Sequence, residues 1–316
     1  MKPIVYVTRK LPDEAIAALG DQVEVRMWKE EETPVPRDIL LKEAAEATAI
    51  WSMLSDAIDR ELIEKAPNLK IISNLAVGYN NIDLDAARDN GVIVTNTPDA
   101  LTEATADLTF ALLLSTARRL SEASRALRAG EWKAWTPLGF TGQDVYGATI
   151  GIIGMGRIGE AVARRAKGFG MRVLYHNRTR RRFEDFIYSD FDELLKESDF
   201  VVLLTPYTSE TAGMIGEREL GLMKETACLI NVARGGIVDE KALEKALKDG
   251  GIWAAGLDVF EQEPVPTDHP LLSLPNVTVT PHIGSASIQA RHAMMQLNAE
   301  AILACIGKKE VQNRVC

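Results

Sequence analysis

Short apolar runs alternate with helix-like stretches along most of the chain, and this alternation constrains the fold more than any other feature. In the first hundred residues the apolar runs lie at 4–7, 23–27, 49–53, 69–74 and 92–94. Apolar runs without alternating polar residues are typical of strands covered on both faces, and intervening helices allow such strands to lie parallel. The pattern therefore predicts an α/β fold built on parallel sheets.

The alternation stops between residues 100 and 129, where apolar residues follow helical spacing and no Gly or Pro interrupts them. We predict one long helix here that connects two domains. The alternation restarts with runs at 148–153, 172–175, 200–204, 227–230, 253–257 and 277–279, and a last helix is predicted at 286–306. We predict two doubly wound parallel-sheet domains with the chain crossing twice. Residues 1–98 and 285–316 form one domain, and residues 99–284 form the other.

A glycine-rich turn follows the first apolar run of the second domain and begins a helix. Its residues are Gly154, Met155, Gly156, Arg157, Ile158 and Gly159. In such a turn the first glycine permits a tight bend, the second lets the backbone approach a pyrophosphate, and the third lets the helix pack closely on the strand. The free N–H groups and the dipole of the helix N-terminus favour a phosphate. We predict that these six residues bind a dinucleotide; a glycine-rich turn without a ligand is the alternative.

The strand after this turn ends without an acidic residue. Sites for NAD usually place Asp or Glu about 20 residues after the turn, where the carboxylate bonds the ribose hydroxyl. This chain has Asn177, Arg178 and Thr179 there. An Arg can pair with a 2′-phosphate that a carboxylate would repel. We predict that NADP(H) is preferred and NAD(H) possible; the alternative is a solvated basic loop, with cofactor choice set elsewhere.

Three later segments carry a polar residue shortly after a predicted strand: Arg234, Glu263 and His282. Ligands of open α/β sheets bind beyond the carboxyl ends of the strands, so these three side chains are expected to converge there. Each residue taken singly also fits a structural role. Arg234 fits a surface salt bridge, Glu263 a solvated loop acid and His282 a buried histidine.

Five segments in order and spacing carry a resemblance: residues 75–83, 154–159, 231–235, 258–264 and 281–285. With them the chain resembles the D-isomer-specific 2-hydroxyacid dehydrogenases over nearly its full length, and most of all their glyoxylate/hydroxypyruvate reductase branch. Asn80, where this branch often has Asp, and the variable loop at Gly139 and Phe140 depart from the pattern. The resemblance implies a Rossmann dinucleotide-binding domain and a flavodoxin-like substrate domain.

The resemblance also implies a reaction, in which NADPH reduces glyoxylate to glycolate and hydroxypyruvate to D-glycerate. His282 would act as general acid/base, because an imidazole titrates near neutrality. Glu263 would orient the imidazole, and Arg234 would bind the substrate carboxylate with its planar two-pronged donor. A broader D-2-hydroxyacid dehydrogenase of the D-lactate type, and a dinucleotide-sensing protein similar to the family's corepressors, remain as alternatives.

Further contacts follow from the resemblance alone. The backbone of Val77 and Gly78, together with Ser285 and Trp135, would bind the substrate. The remaining cofactor contacts would come from Thr105, Thr205, Pro206, Val232, Ala233, Asp258 and Gly284. A homodimer is implied, built on the long helix and the loop that carries Trp132 and Trp135. Simple packing is the alternative role for both tryptophans.

Composition excludes several other classes of protein. The formal net charge of −9 argues against nucleic acid and anionic membranes as partners, and no apolar run approaches the roughly 18 residues of a membrane helix. Three scattered cysteines, Cys228, Cys305 and Cys316, indicate a reduced compartment, and no Cys or His spacing fits a metal site. We expect a soluble cytoplasmic enzyme without a metal, in which His176, His269 and His292 have no catalytic role.

Overall fold

The computed structural model describes residues 2–316; Met1, the first residue of the predicted 1–98 segment, lies outside them. The chain divides into two compact units. The first runs from the N-terminus to Leu101 and from Ser287 to Cys316, and the second covers Thr102–Ala286. Each unit contains one sheet, and every paired strand in both sheets is parallel. The predicted α/β class with two parallel-sheet domains is confirmed.

Twelve strands and twelve α-helices follow one another within residues 2–316. The first segment contains β1 (Ile4–Val7), α1 (Asp13–Ala17), β2 (Glu24–Met27), α2 (Arg37–Glu46), β3 (Ala49–Ser52), α3 (Arg60–Glu64), β4 (Ile71–Asn74), α4 (Leu84–Asp89) and β5 (Ile93–Thr95). The second unit contains α5 (Thr102–Ala117), α6 (Leu120–Arg128), β6 (Thr149–Ile153), α7 (Arg157–Gly168), β7 (Arg172–His176), β8 (Ile187–Tyr188), α8 (Phe191–Glu197), β9 (Phe200–Leu203), α9 (Glu217–Leu220), β10 (Cys228–Asn231), α10 (Glu240–Asp249), β11 (Ala254–Leu257), α11 (Pro270–Ser273) and β12 (Val277–Val279). The last helix is α12 (Ile288–Ile306). None of the helices in residues 2–316 is long and apolar enough to cross a bilayer.

The sheet of the first unit has the strand order β2-β1-β3-β4-β5. This is the 2-1-3-4-5 order of flavodoxin-like folds. Strands β1, β3 and β4 are buried along their whole length, as expected for strands covered on both faces. Helix α12 packs on this sheet, where the buried Asn298 donates its side-chain N–H to Ser73 Oγ at 2.7 Å.

The sheet of the second unit has the strand order β12-β11-β10-β9-β6-β7-β8. Counted within the unit, this is the 3-2-1-4-5-6 order of dinucleotide-binding folds with one further strand at the edge. The short strand β8 is absent from the sequence pattern, because only two of its residues pair with β7. The order of the strands reverses between β6 and β9, which is where such folds bind ligands.

One row of paired residues crosses this second sheet at its carboxyl edge. The row consists of His176, Ile153, Leu203, Asn231, Leu257 and Val279. Each of these residues is the last of its strand. The loops that follow the six strands therefore leave the sheet at the same level, and side chains far apart in sequence can meet there.

The prediction of one unbroken helix between residues 100 and 129 is wrong. Helix α5 ends at Ala117, and α6 begins only after Arg119, whose φ of 52° is left-handed. The Ala117 carbonyl accepts the backbone N–H of Gln143 at 2.9 Å, and a Cβ on Gly142 would lie 2.1 Å from the same oxygen. This contact with a distant loop ends the helix. The sequence of the helix itself contains no signal for it.

Candidate active site

The three glycines of the turn after β6 meet three different steric requirements. Gly154 has a φ of 102°, and a Cβ there would lie 2.6 Å from the Thr205 backbone nitrogen. A Cβ on Gly159 would lie 2.5 Å from the carbonyl oxygen of Gly154. Gly156 has open space on its Cβ side, with no atom within 4 Å. The turn therefore packs tightly against other backbone atoms at Gly154 and Gly159, whereas free space remains beside Gly156.

Helix α7 begins directly after Gly156, whose position at the N-cap provides no side chain to satisfy the first N–H groups of the helix. Such groups, with the positive end of the helix dipole, are suited to a phosphate. Met155 is fully buried, and Ile158 packs against the core of the unit. These two side chains anchor the turn, and Arg157 is exposed at the start of the helix.

Asn177, the first residue after β7, is bound to the glycine turn. Its Oδ1 accepts the Met155 N–H at 2.6 Å, and its Nδ2 donates to the Met155 carbonyl at 3.3 Å. The side chain therefore fixes the peptide groups on both sides of Met155. The sequence prediction assigned Asn177 a role toward the cofactor and missed this second role toward the turn.

Basic residues surround this edge of the turn. Arg178 is 83% exposed in its side chain and pairs with Glu210 at 3.1 Å, and Thr179 beside it is also exposed. Arg181, which the sequence reading did not single out, donates to the Met155 carbonyl at 2.9 Å and pairs with Glu160. Nothing in its spacing distinguishes Arg181 from Arg180 and Arg182 in the run of arginines.

His282 and Glu263 form a hydrogen-bonded pair after β12 and β11. Glu263 Oε2 lies 2.6 Å from His282 Nδ1, and Glu263 Oε1 accepts the Phe260 N–H at 3.0 Å. Burial acts to raise the pKa of Glu263, but the hydrogen bond and the charge of His282 outweigh burial and hold this pKa below its usual range. The carboxylate is therefore ionised at neutral pH and can accept a hydrogen bond from the imidazole.

Arg234 follows β10 in a loop that its neighbours hold tightly. The Asn231 side chain accepts the Ala233 N–H at 3.0 Å and donates to the Arg234 carbonyl at 2.9 Å. Burial lowers the pKa of the Arg234 guanidinium, and the charge of Glu263 opposes that effect. A Cβ on Gly235 would lie 1.8 Å from the Phe260 carbonyl carbon, so only glycine allows this loop to pack against the segment that carries Glu263.

Asp258 organises the turn that presents His282. Its Oδ1 accepts the Thr280 hydroxyl at 2.6 Å and the Ile283 N–H at 2.8 Å, and its Oδ2 accepts the Gly284 N–H at 2.8 Å. Burial raises the pKa of Asp258, and these bonds counteract the rise only in part. His282 itself has a left-handed φ of 52°. A strained residue of this kind needs such support from its surroundings.

Four of the residues assigned to the cofactor meet at Gly284. A Cβ placed on Gly284 would lie 3.3 Å from Asp258 Oδ2, 3.4 Å from Thr105 Cγ2 and 3.5 Å from Val232 Cγ1. Thr105 is buried in α5, so this helix contributes directly to the carboxyl edge of the sheet. The structure therefore brings Thr105, Val232, Asp258 and Gly284 together.

Other predicted site residues are more scattered. Ala233 is buried beside Arg234, and Ser285 is partly buried next to Gly284. The Pro206 carbonyl accepts the Thr211 hydroxyl at 2.8 Å in the loop after β9. Trp135 is 79% exposed, in the segment between α6 and β6. No group of three His, Cys, Asp or Glu side chains in the described chain is arranged as metal ligands.

Val77 and Gly78 belong to the first unit, in the loop after β4. Asn96 donates its side-chain N–H to the Val77 carbonyl at 2.8 Å, and Asn74 donates to the Gly78 carbonyl at 2.9 Å. Asn81 in turn donates to the carbonyls of Met53 and Asp56. Side-chain amides therefore hold the loop at both of its candidate binding residues.

Comparison with known proteins places this geometry in a family. A model of the D-isomer specific 2-hydroxyacid dehydrogenase NAD-binding domain matches residues 110–284. Over 312 residues the sequence is 55% identical to the glyoxylate reductase of Thermococcus gammatolerans, covering 96% of this chain and 93% of that protein. These matches confirm the resemblance found in the sequence motifs.

Solved structures agree over the whole chain. A protein of Thermus thermophilus superimposes with a TM-score of 0.94 at 45% identity, covering 99% of this chain and all of that one. An NADPH-dependent glyoxylate/hydroxypyruvate reductase of Sinorhizobium meliloti, in complex with NADP and malonate, gives a TM-score of 0.87 at 34% identity, covering 100% of this chain and 97% of that one. The chain therefore belongs to the D-isomer specific 2-hydroxyacid dehydrogenase family.

Proposed function

We propose that this protein is an NADPH-dependent reductase of small 2-keto acids, converting glyoxylate to glycolate and hydroxypyruvate to D-glycerate. The observation that carries the proposal is the 2.6 Å contact between Glu263 and His282 Nδ1, near the partly buried Arg234, whose charge acts on Glu263. The names of the relatives support the substrate class, since glyoxylate reductases recur among the most similar proteins.

In this proposal His282 is the general acid. Its Nδ1 is engaged by Glu263, which leaves Nε2 as the atom that carries a proton to the substrate carbonyl oxygen. The ionised Glu263 stabilises the imidazolium and fixes the ring orientation. When bound at the glycine turn, the nicotinamide cofactor supplies the hydride that reduces the carbonyl carbon.

Arg234 binds the substrate carboxylate in this scheme. Its planar guanidinium matches a carboxylate with two parallel hydrogen bonds, which an ammonium cannot do. Because burial disfavours its charge, an incoming carboxylate restores the balance of charge at this position. We further propose that the N–H groups of Val77 and Gly78 bind the same substrate class, since the carbonyls of both residues are already taken up by side-chain amides.

The preference for NADPH over NADH is part of the proposal and rests on charge. The position that would hold a carboxylate in an NAD site is Asn177, and Arg178, Thr179 and Arg181 lie near it in sequence. The exposed pair of Arg178 with Glu210 is worth little in water, so Arg178 can exchange that partner for a 2′-phosphate. Arg181, bound to the Met155 carbonyl, adds a second positive charge at the turn.

We also propose a homodimer. Large apolar side chains are exposed between α6 and β6, among them Trp135 at 79% and Leu138 at 81%. Several large exposed apolar side chains in one segment are typical of an interaction site. A second copy of the chain is the partner that the resemblance implies, and light scattering of the purified protein measures its mass directly.

A panel of 2-keto acids tests the function. Glyoxylate, hydroxypyruvate, pyruvate and a branched-chain 2-keto acid are each assayed with NADPH and with NADH, following the loss of reduced-nicotinamide absorbance. The proposal expects the highest kcat/KM for glyoxylate or hydroxypyruvate with NADPH. Higher values for pyruvate or the branched acid favour the broader dehydrogenase instead, and a tenfold preference for NADH, on the order of 1.4 kcal/mol, overturns the cofactor assignment.

A further inference from the structure

A second glutamate–histidine pair lies behind the segment that carries Glu263. Glu240 Oε2 is 3.1 Å from His269 Nε2, and both side chains are largely covered, with 12% and 20% exposed. Glu240 is the first residue of α10, where the helix dipole favours a carboxylate. The reaction described above assigns no role to either residue.

The state of His269 follows from its partners. Its Nδ1 is buried and has no hydrogen-bond partner among the described residues. A neutral ring therefore carries its proton on Nε2, where Glu240 accepts it, because a bare ring nitrogen is easier to bury than an unpaired N–H. The Phe260 ring packs edge-on against this imidazole, with centroids 5.9 Å apart.

Glu240 uses its other oxygen to hold the backbone of the same segment. Its Oε1 accepts the Glu261 N–H at 2.8 Å, and the Glu240 N–H points back to Glu261 Oε1 at 3.5 Å. Phe260 is thus fixed from two sides, by the His269 ring and by the bond to the residue that follows it. The backbone of Gly235 packs against the Phe260 carbonyl group from a third side.

The Phe260 N–H orients the Glu263 carboxylate. It donates to Glu263 Oε1, while Glu263 Oε2 is bound to His282 Nδ1. A continuous series of contacts therefore runs from His269 through Glu240, Glu261 and Phe260 to the proton-donating pair.

We propose that Glu240 and His269 are positioning residues that hold the Phe260–Glu261 segment in place, so that Glu263 stays bonded to His282. The inference rests on the reductase function proposed above. Neither residue contacts substrate in this scheme. Their removal acts by letting the Glu263 carboxylate move away from the imidazole, which weakens the proton donor without altering the cofactor turn.

The main test compares Glu240→Ala with Glu217→Ala. Both glutamates begin a helix and each pairs with one basic side chain, which for Glu217 is Lys245 at 2.6 Å and for Glu240 is His269. We expect Glu240→Ala to lower kcat about 3- to 30-fold, with NADPH affinity unchanged, and to shift the alkaline limb of the kcat/KM profile about half a pH unit or more to lower pH. Glu217→Ala keeps both the rate and the profile.

His269 provides an independent test of the same contact. In His269→Gln the side-chain amide can still donate a hydrogen bond to Glu240. The phenyl ring of His269→Phe has no N–H to donate. We expect His269→Gln to stay within about twofold of the wild-type kcat and His269→Phe to resemble Glu240→Ala. Equal effects of the two variants, with an unshifted pH profile, would mean that His269 only stabilises the fold.

A measurement without substrate separates this inference from the proposed function. The chain has four histidines, so the ring-nitrogen NMR signals of His282 can be assigned and titrated in the apo protein. The inference expects the His282 midpoint to fall in Glu240→Ala and to stay unchanged in Glu217→Ala. A shifted midpoint in a protein without 2-keto acid reductase activity supports the inference and overturns the proposed function. An active wild type with the same midpoint in both variants overturns the inference alone.

Discussion

The His282 N–H donates to the Asp258 carbonyl at 2.8 Å, and the carboxylate of the same aspartate accepts the N–H groups of the next two residues, Ile283 and Gly284. Asp258 therefore holds the turn in which His282 adopts a left-handed φ. Asp258, which the resemblance assigns to the cofactor, thus also sets the position of His282, the proposed general acid.

Replacement of Asp258 tests this role. Asp258→Ala leaves the partly buried Ile283 N–H and the buried Gly284 N–H without an acceptor, so we expect the free energy of unfolding to fall by about 2–4 kcal/mol and kcat to fall more than about tenfold. Chemical denaturation and steady-state kinetics measure the two effects. The exposed Asp268→Ala is the control, and a folded Asp258→Ala enzyme with unchanged kcat would contradict the role.

Replacement of Gly156 is expected to affect cofactor binding without affecting the stability of the fold. Because nothing lies within 4 Å of its Cβ position, Gly156→Ala is expected to fold normally while the methyl group occupies the space assigned to the pyrophosphate. We expect the Kd for NADPH, measured by fluorescence titration, to rise at least about tenfold.

Gly168→Ala is the matched control for Gly156→Ala. It also has open space and lies at the other end of α7, far from the turn, so its Kd should equal that of the wild type. Equal NADPH affinity in the two variants would show that the pyrophosphate does not bind beside Gly156.

Arg178 tests cofactor choice. Arg178→Gln removes the guanidinium assigned to the 2′-phosphate, and we expect kcat/KM for NADPH to fall at least about tenfold while the value for NADH stays within about twofold. Arg172→Gln, at the opposite end of β7 and paired with Glu197, controls for the loss of one positive charge. An equal loss of kcat/KM with NADPH and with NADH would show that Arg178 does not discriminate between the two cofactors.

The lowered pKa of Glu263 predicts a pH dependence of stability. A carboxylate with a depressed pKa stabilises the folded state above its unfolded value, about 4.3, and this contribution is lost as the pH falls through the folded value. The difference in unfolding free energy between wild type and Glu263→Gln should therefore be largest near neutral pH and shrink below about pH 4. Urea denaturation across this range measures it, and a difference that grows on acidification would have the wrong sign.

Much of the fold follows from the sequence because continuous apolar strands and the glycine turn are local patterns. The α/β class was predicted correctly from these patterns, and the family was predicted correctly from the resemblance of five sequence segments. Arg234, Glu263 and His282 could be proposed as a set because each follows a strand and parallel strands end at one edge. The sequence pattern does not contain the contacts between distant residues.

Three features depend on such distant contacts. The break between α5 and α6 comes from the Gln143 N–H on the Ala117 carbonyl. The bond of Asn177 to Met155 joins two loops 22 positions apart in the chain. The sequence predicts no catalytic role for His269 and does not indicate its pairing with Glu240, because no motif distinguishes Glu240 from the other acids of α10.

His282 is the residue proposed to deliver the proton during reduction of the substrate. Single-turnover reduction of glyoxylate by enzyme saturated with NADPH, compared between wild type, His282→Ala and the exposed control His292→Ala, tests this role most directly. We expect His282→Ala to lose at least about a hundredfold in rate with NADPH affinity within about threefold of wild type, and His292→Ala to retain the full rate. Retention of more than about a tenth of the wild-type rate by His282→Ala would contradict the account.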